Sequence, residues 1–274
     1  MKKCTQAGCR FAAGVISLPA MEKPLIDVDE RLDTIPGTDL KLIQKIDGTA
    51  FAIDTLLLAS FVKFSPDMHT AADLGAGSGI LAFLIKYRHS GLFITGYELQ
   101  EDLVELSQRN CQLNQQFTDI SFEQLDVRDI PAHILPENCD LVVSNPPYFQ
   151  AGSGRLPTRP GRASARHELN GTLKDFIDAA SYMLPYGGRF CFIIPSSRFY
   201  EVLEYLKPCN FGLKRLQFVL PKEGEKSHLA LIEVERFFNG KHLPLPNITI
   251  HMADGGFSPE MNQLFSVGLK KYKI

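Results

Sequence analysis

The sequence predicts an α/β protein with a doubly wound, mostly parallel sheet of seven strands and an antiparallel hairpin at one edge. Short apolar runs alternate with amphipathic stretches of helical length over most of the chain, which favours parallel strands with helical crossovers. Near the end two apolar runs follow one another across the charged turn PKEGEKS, which predicts the antiparallel hairpin. With 274 residues, 45% of them hydrophobic, the chain can bury a large core.

Each element is predicted from its own pattern. The seven strands are TAADLG, LFITGYEL, DISFEQLD, CDLVVSN, GRFCFIIPSS, GLKRLQFVL and HLALIEVERF. The helices between them are FAIDTLLLASFVKF, ILAFLIKYR, EDLVELSQRNCQLNQ, TLKDFIDAASYMLPYGG and RFYEVLEYLK. Ser65-Pro66 should end the first helix, and Thr172 with Asp175 forms a weak capping box before the fourth. One further strand, NITIHM, and a short terminal helix complete the chain.

We expect one domain over residues 29–274, preceded by a disordered extension at 1–28, with Met21 as an alternative start. The net charge of -2 excludes a polycation, so any contact with nucleic acid must come from a local basic patch. No apolar run reaches the length of a membrane span, and we expect a cytoplasmic monomer. The last four of the six cysteines lie in apolar contexts typical of buried free thiols. Cys4 and Cys9 lack nearby partners for a metal site, so no metal is expected.

A glycine-rich turn indicates a cofactor site. DLGAGSG, residues 73–79, follows a predicted strand and precedes a helix, so Gly75, Gly77 and Gly79 would let the backbone turn tightly and leave N–H groups for a ligand. Glu98 ends the next strand and could accept both ribose hydroxyls of an adenosine. Asp126, after the third strand, could bind the adenine amino group or cap the next helix.

The charge of the turn favours S-adenosylmethionine over a nicotinamide cofactor. The fingerprint G-x-G-x-x-G requires glycine at position 80, which is Ile80. An anionic Asp73 directly ahead of the glycines is poorly placed for a pyrophosphate and well placed for a cationic ligand. A plain tight turn without a ligand is the alternative.

A second motif follows the fourth strand, where Asn145-Pro146-Pro147-Tyr148 ends an apolar run. Neither proline can donate to a sheet ladder, so the strand must stop there. The Asn145 side-chain oxygen and the Pro146 carbonyl could each accept an N–H of an exocyclic amine, which would aim its lone pair at a methyl group. Tyr148 could stack on a planar base. The alternative is a turn that only terminates the strand.

These two motifs, in this order, resemble the class I S-adenosylmethionine-dependent amino-methyltransferases, whose signature is [DNS]-P-P-[YFW], and among them the bacterial tRNA N6-adenine methyltransferases. The resemblance includes ERLD at 30–33, LKLIQ at 40–44, FAIDTLLLA at 51–59 and ARHE at 165–168. It implies a Rossmann-like methyltransferase fold, and that Asp54 and its helix cap the cofactor pocket. The turn KEGEKSH, at 222–228, is more charged than in that family.

A basic loop over 150–171 follows the second motif. The loop contains one acid, Glu168, and four arginines: Arg155, Arg159, Arg162 and Arg166. The planar guanidinium group of arginine suits phosphate. The loop therefore predicts an RNA-binding segment over the mouth of the site, with a solvated loop as the alternative.

The leading hypothesis is methylation of the N6 amine of an adenine in RNA, most plausibly tRNA. N5-methylation of a protein glutamine uses the same chemistry, but such enzymes carry a longer N-terminal substrate-binding domain than this sequence allows. A non-catalytic RNA-binding protein on the same fold is a third hypothesis, which the intact motifs disfavour.

Overall fold

The structure is a computed structural model that describes residues 25–35, 37–46, 53–147 and 171–267. Its strands are β1 (Glu30–Thr34), β2 (Lys41–Lys45), β3 (Thr70–Leu74), β4 (Phe93–Glu98), β5 (Ile120–Gln124), β6 (Leu141–Ser144), β7 (Arg189–Pro195), β8 (Phe211–Lys222), β9 (Leu229–Arg236), β10 (Leu243–Pro244) and β11 (Ile248–His251). The α-helices are α1 (Ile53–Phe61), α2 (Ile80–Arg88), α3 (Glu101–Leu113), α4 (Ile130–His133), α5 (Leu173–Met183), α6 (Phe199–Leu206) and α7 (Pro259–Val267).

The main sheet confirms the predicted fold class. Its core order is β5-β4-β3-β6-β7-β9-β8, with parallel pairs from β5 to β7 and antiparallel pairs for β7–β9 and β9–β8. The winding reverses between β3 and β6, which are direct neighbours, with Asp73 opposite Val143. In such sheets ligands bind outside the carboxyl ends of the strands at this reversal.

The sheet is larger at one edge than predicted. Two short strands, β10 and β11, both pair with β8 in parallel, so among the described residues the sheet has nine strands and the antiparallel hairpin is not its outermost part. The predicted segment NITIHM is β11, whereas β10 lies in a stretch where Pro244 and Pro246 obscure any strand pattern.

Helices cover both faces of the sheet. On one face α1 and α2 pack with Leu57, Phe83 and Val143 in one buried cluster. On the other face α5 and α6 pack with Phe176, Val202 and Val142 in a second cluster. Because Val142 and Val143 are consecutive, β6 is buried on both faces, as a continuous apolar run predicts.

A separate hairpin, β1–β2, was not predicted as strands. Strand β2 is bound by one side chain of α3 and one from the residue after it. The Asn110 amide accepts from the Ile43 N–H at 2.7 Å, and the Asn114 amide donates to the Lys41 carbonyl at 2.8 Å. Asn110 also donates to the Ser78 carbonyl at 3.0 Å and so ties this hairpin to the glycine-rich turn. The hairpin therefore depends on side chains about 70 residues away, which no local pattern reveals.

Glu30 gives this hairpin an ionic link to α3. Arg109 donates to both of its carboxylate oxygens at 2.6 Å, and these bonds lower the pKa of Glu30 to about 2 despite the opposing effect of burial. The carboxylates of Asp27, Asp29 and Glu30 approach one another within 4.8 Å. Lys45 lies 3.1 Å from both Asp29 and Glu30, so protein cations already neutralise this cluster.

Helix α1 ends at Phe61, four residues before the predicted stop at Ser65-Pro66. Two buried arginines bind its last carbonyl groups: Arg88 donates to those of Ala59 and Val62, and Arg215 donates to that of Phe61 at 2.8 Å. These groups would otherwise need further helical turns or water. The prediction was wrong here because the terminator comes from other parts of the chain.

Several smaller predictions are confirmed. Thr172 and Asp175 exchange both bonds of a capping box at the start of α5. Cys139, Cys191 and Cys209 are buried free thiols, and Cys111 is a half-buried one. Within the described ranges, every helix is too short or too polar to cross a membrane.

Candidate active site

A cavity of about 250 Å³ opens at the carboxyl ends of β3, β4, β5 and β6. The sequence-predicted residues that line it are Gly75, Glu98, Asp126, Asn145 and Pro147. These five come from four different strand ends, and the parallel sheet brings them to one edge. The two motifs chosen from sequence therefore form one site.

The glycine-rich turn uses its N–H groups internally. Gly75 and Ala76 both donate to the Tyr97 carbonyl, at 2.8 and 3.0 Å, and Gly79 donates to the Ala76 carbonyl at 2.9 Å. The Gly77 N–H donates to Glu98 Oε2 at 2.9 Å. The sequence predicted N–H groups free to bind a ligand, whereas these four N–H groups donate to protein acceptors. They are therefore not available to bind a phosphate, as the N–H groups of such turns often do.

The glycines have different local requirements. Gly75, Gly77 and Gly79 all have positive φ, at 72°, 57° and 84°, a region that side chains rarely adopt. A Cβ at Gly79 would lie 2.5 Å from the Phe122 ring and one at Gly75 would lie 3.1 Å from Phe176. At Gly77 a Cβ would meet no described atom within 4 Å. The Phe122 ring therefore leaves no room for a side chain at Gly79, and the Phe176 ring in the cavity wall leaves little room for one at Gly75.

Glu98 joins the turn to the next helix. One carboxylate oxygen accepts from the Gly77 N–H and the other from the Gln100 N–H at 3.0 Å, just before α3. Its side chain is 7% exposed and faces the cavity. A carboxylate has about four acceptor sites, so these two N–H bonds orient the group and leave it able to accept hydroxyl groups of a ligand.

Asp73 has a different environment from the one that its charge suggested. It is 1% exposed, does not line the cavity, and accepts from the Ala82 N–H of α2 at 3.1 Å. Burial raises the pKa of Asp73 to about 8, and the nearby charge of Glu98 acts in the same direction. Its carboxyl group therefore binds a proton more tightly than an exposed aspartate does, and a direct contact with a cofactor stays a prediction.

Asp126 lines the cavity and also caps the short 3-10 helix Val127–Asp129. The predicted helix cap is therefore present, and a contact with adenine stays a prediction. Its carboxylate accepts from the Arg128 N–H at 2.9 Å and forms an ion pair with the Arg128 side chain. The hydrogen bonds with Arg128 lower the pKa of Asp126. The group is thus a fixed anion at the wall of the cavity.

Asn145 follows β6 directly and is held from α1. Its side-chain nitrogen donates to Thr55 Oγ1 at 3.1 Å. The preceding residue, Ser144, is fully buried and donates to the Leu74 carbonyl at 2.7 Å, which ties the ends of β6 and β3 together. Pro146 is buried, and Pro147 is exposed at the rim.

The remaining predicted residues differ in what the structure describes. Asp54 lies in the first turn of α1, half-buried and next to Thr55, but does not line the cavity. Tyr148 and the arginines of the basic loop lie outside the described residues, as do Cys4 and Cys9 and the extension up to residue 24.

The other lining residues were missed by sequence reasoning: Tyr97, Leu99, Gln100, Leu125, Val127 and Phe176. Leu99 and Gln100 follow a strand that was predicted, so their position after Glu98 could have identified them. Phe176 comes from α5, on the far side of the basic loop, and its side chain forms one wall beside Gly75. No local signal marks it, because apolar residues of α5 look alike in sequence.

Comparison with known proteins assigns the chain to a family. The methyltransferase small domain family matches residues 48–216, which include the glycine-rich turn, Glu98 and the Asn145 motif. The chain belongs to this methyltransferase family.

Individual relatives agree with that assignment. The tRNA1(Val) (adenine(37)-N6)-methyltransferase of Yersinia pseudotuberculosis is 26% identical over 216 residues, which cover 78% of this chain and 82% of the relative. Among solved structures, protein Atu636 of Agrobacterium tumefaciens, described as a predicted O-methyltransferase, superposes with a TM-score of 0.65 at 23% identity, over 80% of this chain and 98% of that chain. NSun6 of Pyrococcus horikoshii, solved with SFG, gives 0.50 at 13% identity, over 68% of this chain and 52% of that chain. Both superpositions are likenesses of fold.

Proposed function

We propose that this methyltransferase transfers a methyl group from S-adenosylmethionine to the N6 amine of an adenine in RNA, with tRNA as the substrate class, in the cytoplasm. The observation that carries the proposal is the single cavity that holds both Glu98 and the start of the Asn145-Pro146-Pro147-Tyr148 motif. The Yersinia relative is named for the same reaction on tRNA.

The residues fit a cofactor that has an adenosine and no phosphate. Glu98, oriented by two backbone N–H groups, would accept the ribose hydroxyls, and Asp126 would lie near the adenine. Four N–H groups of the glycine-rich turn, those of Gly75, Ala76, Gly77 and Gly79, already donate to protein acceptors, which disfavours a pyrophosphate. S-adenosylmethionine supplies, when bound, an electrophilic methyl group on a sulfonium.

The acceptor amine is a poor nucleophile because its lone pair is delocalised into the adenine ring. The Asn145 side-chain oxygen and the Pro146 carbonyl would each accept one of its N–H groups, which turns the lone pair out of the ring plane. Both dipoles also stabilise the positive charge that develops on nitrogen during transfer. Methylation would leave an acidic proton on the nitrogen, so the residues of the site would not need to supply a strong base.

RNA binding is assigned to the segment that follows this motif. Tyr148 would stack on the unpaired adenine, and Arg155, Arg159, Arg162 and Arg166 would bind the phosphates around it. In this proposal, residues at the edge of the sheet carry out the methyl transfer, and the basic loop recognises the RNA.

The test uses the purified protein with methyl-labelled S-adenosylmethionine and total tRNA from cells that lack the gene. We expect label in N6-methyladenosine after nucleoside mass spectrometry, and loss of that nucleoside in tRNA from the same cells. A parallel reaction with translation release factors tests glutamine methylation. Label in a protein glutamine, or unchanged N6-methyladenosine in the gene-deleted cells, would overturn the proposal.

A further inference from the structure

We infer that Thr55 is a positioning residue for the reaction, because its hydroxyl group holds the nitrogen of the Asn145 amide and thereby turns the oxygen towards the acceptor amine. The inference rests on the proposed function for its catalytic consequence. Its structural basis is the 3.1 Å hydrogen bond between Asn145 Nδ2 and Thr55 Oγ1, which joins residues 90 positions apart.

The chemistry of an amide makes this bond decisive. The nitrogen and the oxygen lie on opposite edges of one plane, and only the oxygen can accept an N–H. An amide turned by 180° would present N–H donors to the amine of the substrate and could not accept a hydrogen bond from it. In the structure Thr55 Oγ1 accepts from the Asn145 nitrogen, and this bond holds the amide in the orientation that turns its oxygen away from Thr55 before the substrate binds.

Thr55 is itself held rigidly. It is 5% exposed and sits among Leu56, Leu57 and Leu58, which are 0–1% exposed. The other end of α1 is bound by Arg88 and Arg215, whose guanidinium groups donate to its last carbonyls. Arg215 also forms a buried ion pair with Glu233 of β9, so α1 is fixed to the sheet on which Asn145 lies. Rigid support of this kind is what a positioning residue requires.

The environment also explains why a threonine stands here. The surrounding segment of α1, LLLASF, is almost entirely apolar, and a buried hydroxyl group is stable only with a hydrogen-bond partner. Asn145 supplies that partner. Ser60 of the same helix differs, because its hydroxyl group donates to the Leu57 carbonyl within α1, and it provides a matched control.

The experiment compares Thr55→Val, Thr55→Ser and Ser60→Ala with the wild type. Valine keeps the shape of threonine but cannot accept a hydrogen bond, so we expect kcat to fall about 5- to 10-fold while both KM values stay unchanged. Serine keeps the hydroxyl group and should restore kcat, and Ser60→Ala should match the wild type. A merely structural role would move thermal stability and both KM values rather than kcat alone.

A second measurement does not depend on activity. The side-chain NH₂ signals of Asn145, assigned in a ¹H–¹⁵N spectrum from their absence in Asn145→Ala, should shift in Thr55→Val and remain in place in Thr55→Ser and Ser60→Ala. Unshifted signals, or a Thr55→Val enzyme with wild-type kcat, would overturn the inference. If the wild type methylates no RNA, the proposed function fails, and the amide signals alone decide whether Thr55 orients Asn145.

Discussion

The two halves of the cavity are held in different ways. We propose that one half binds the cofactor and the other binds the acceptor. On the cofactor side, the Gly75–Gly79 turn and Glu98 are joined by hydrogen bonds that span about 20 residues and mostly use backbone groups. On the acceptor side, Asn145 is oriented by a side chain from a helix 90 positions earlier. The first set of contacts thus joins the ends of two strands that follow one another in the chain, whereas Asn145 is oriented by a side chain from a distant helix. The two should respond separately to mutation.

The largest effect is expected for Asn145→Ala. Removal of one preorganised dipole at a reacting atom lowers kcat by about 10²- to 10³-fold. Affinity for S-adenosylmethionine should remain, since Glu98 and the glycine-rich turn keep their hydrogen bonds. Single-turnover rates and calorimetric titration measure the two quantities. A loss of cofactor affinity as large as the loss of kcat would show that the two halves are not independent. Asn262→Ala, which removes the same side chain in α7, is the control.

The complementary change is Glu98→Ala. Loss of a charged acceptor should weaken cofactor affinity by about 10- to 100-fold, because hydrogen bonds to charged groups contribute about 1.5–3 kcal/mol. The rate of transfer at saturating cofactor should change far less. Equilibrium titration against Glu123→Gln, an exposed acid on the neighbouring strand β5, separates a lost contact from a lost charge. Equal affinities for the two variants would remove Glu98 from the proposed site.

A smaller effect is expected from the glycines, on stability. Alanine at Gly79 would adopt a strained positive φ and place its Cβ 2.5 Å from Phe122, whereas alanine at Gly77 has the strain but no such contact. Overpacking costs about 1–3 kcal/mol, so Gly79→Ala should be less stable than Gly77→Ala by about that amount. Denaturant midpoints measure the difference. Equal midpoints would indicate that the turn adjusts and that Phe122 does not define it.

A further effect on stability concerns its dependence on pH. The pKa of Asp73 is about 8 in the folded protein and about 3.8 when unfolded. The folded state therefore binds the proton more tightly, and stability should fall as pH rises from about 4 to about 8. Asp73→Asn can still accept from the Ala82 N–H but carries no proton to lose, so its stability should show less of this decline. Parallel curves for wild type and variant from pH 5 to pH 8 would contradict a raised pKa.

The sequence predicted the strands and helices of the main sheet because each has a strong period of its own. It failed where stability comes from distant side chains. The β1–β2 hairpin is bound by Asn110 and Asn114, and α1 ends where Arg88 and Arg215 bind its carbonyls. Neither effect leaves a local pattern, since the partners lie tens of residues away.

For the site, the sequence alone determined the chemical groups and the strand ends that carry them. Gly75, Glu98, Asp126, Asn145 and Pro147 follow predicted strands, and a parallel sheet must bring such positions to one edge. Only the tertiary structure decided how these groups are oriented and charged. Burial raises the pKa of Asp73, the hydrogen bonds with Arg128 lower the pKa of Asp126, and Thr55 holds the nitrogen of the Asn145 amide. The ionisation and orientation of a side chain depend on its neighbours in space. Because many of these neighbours come from distant parts of the chain, a local sequence pattern does not identify them.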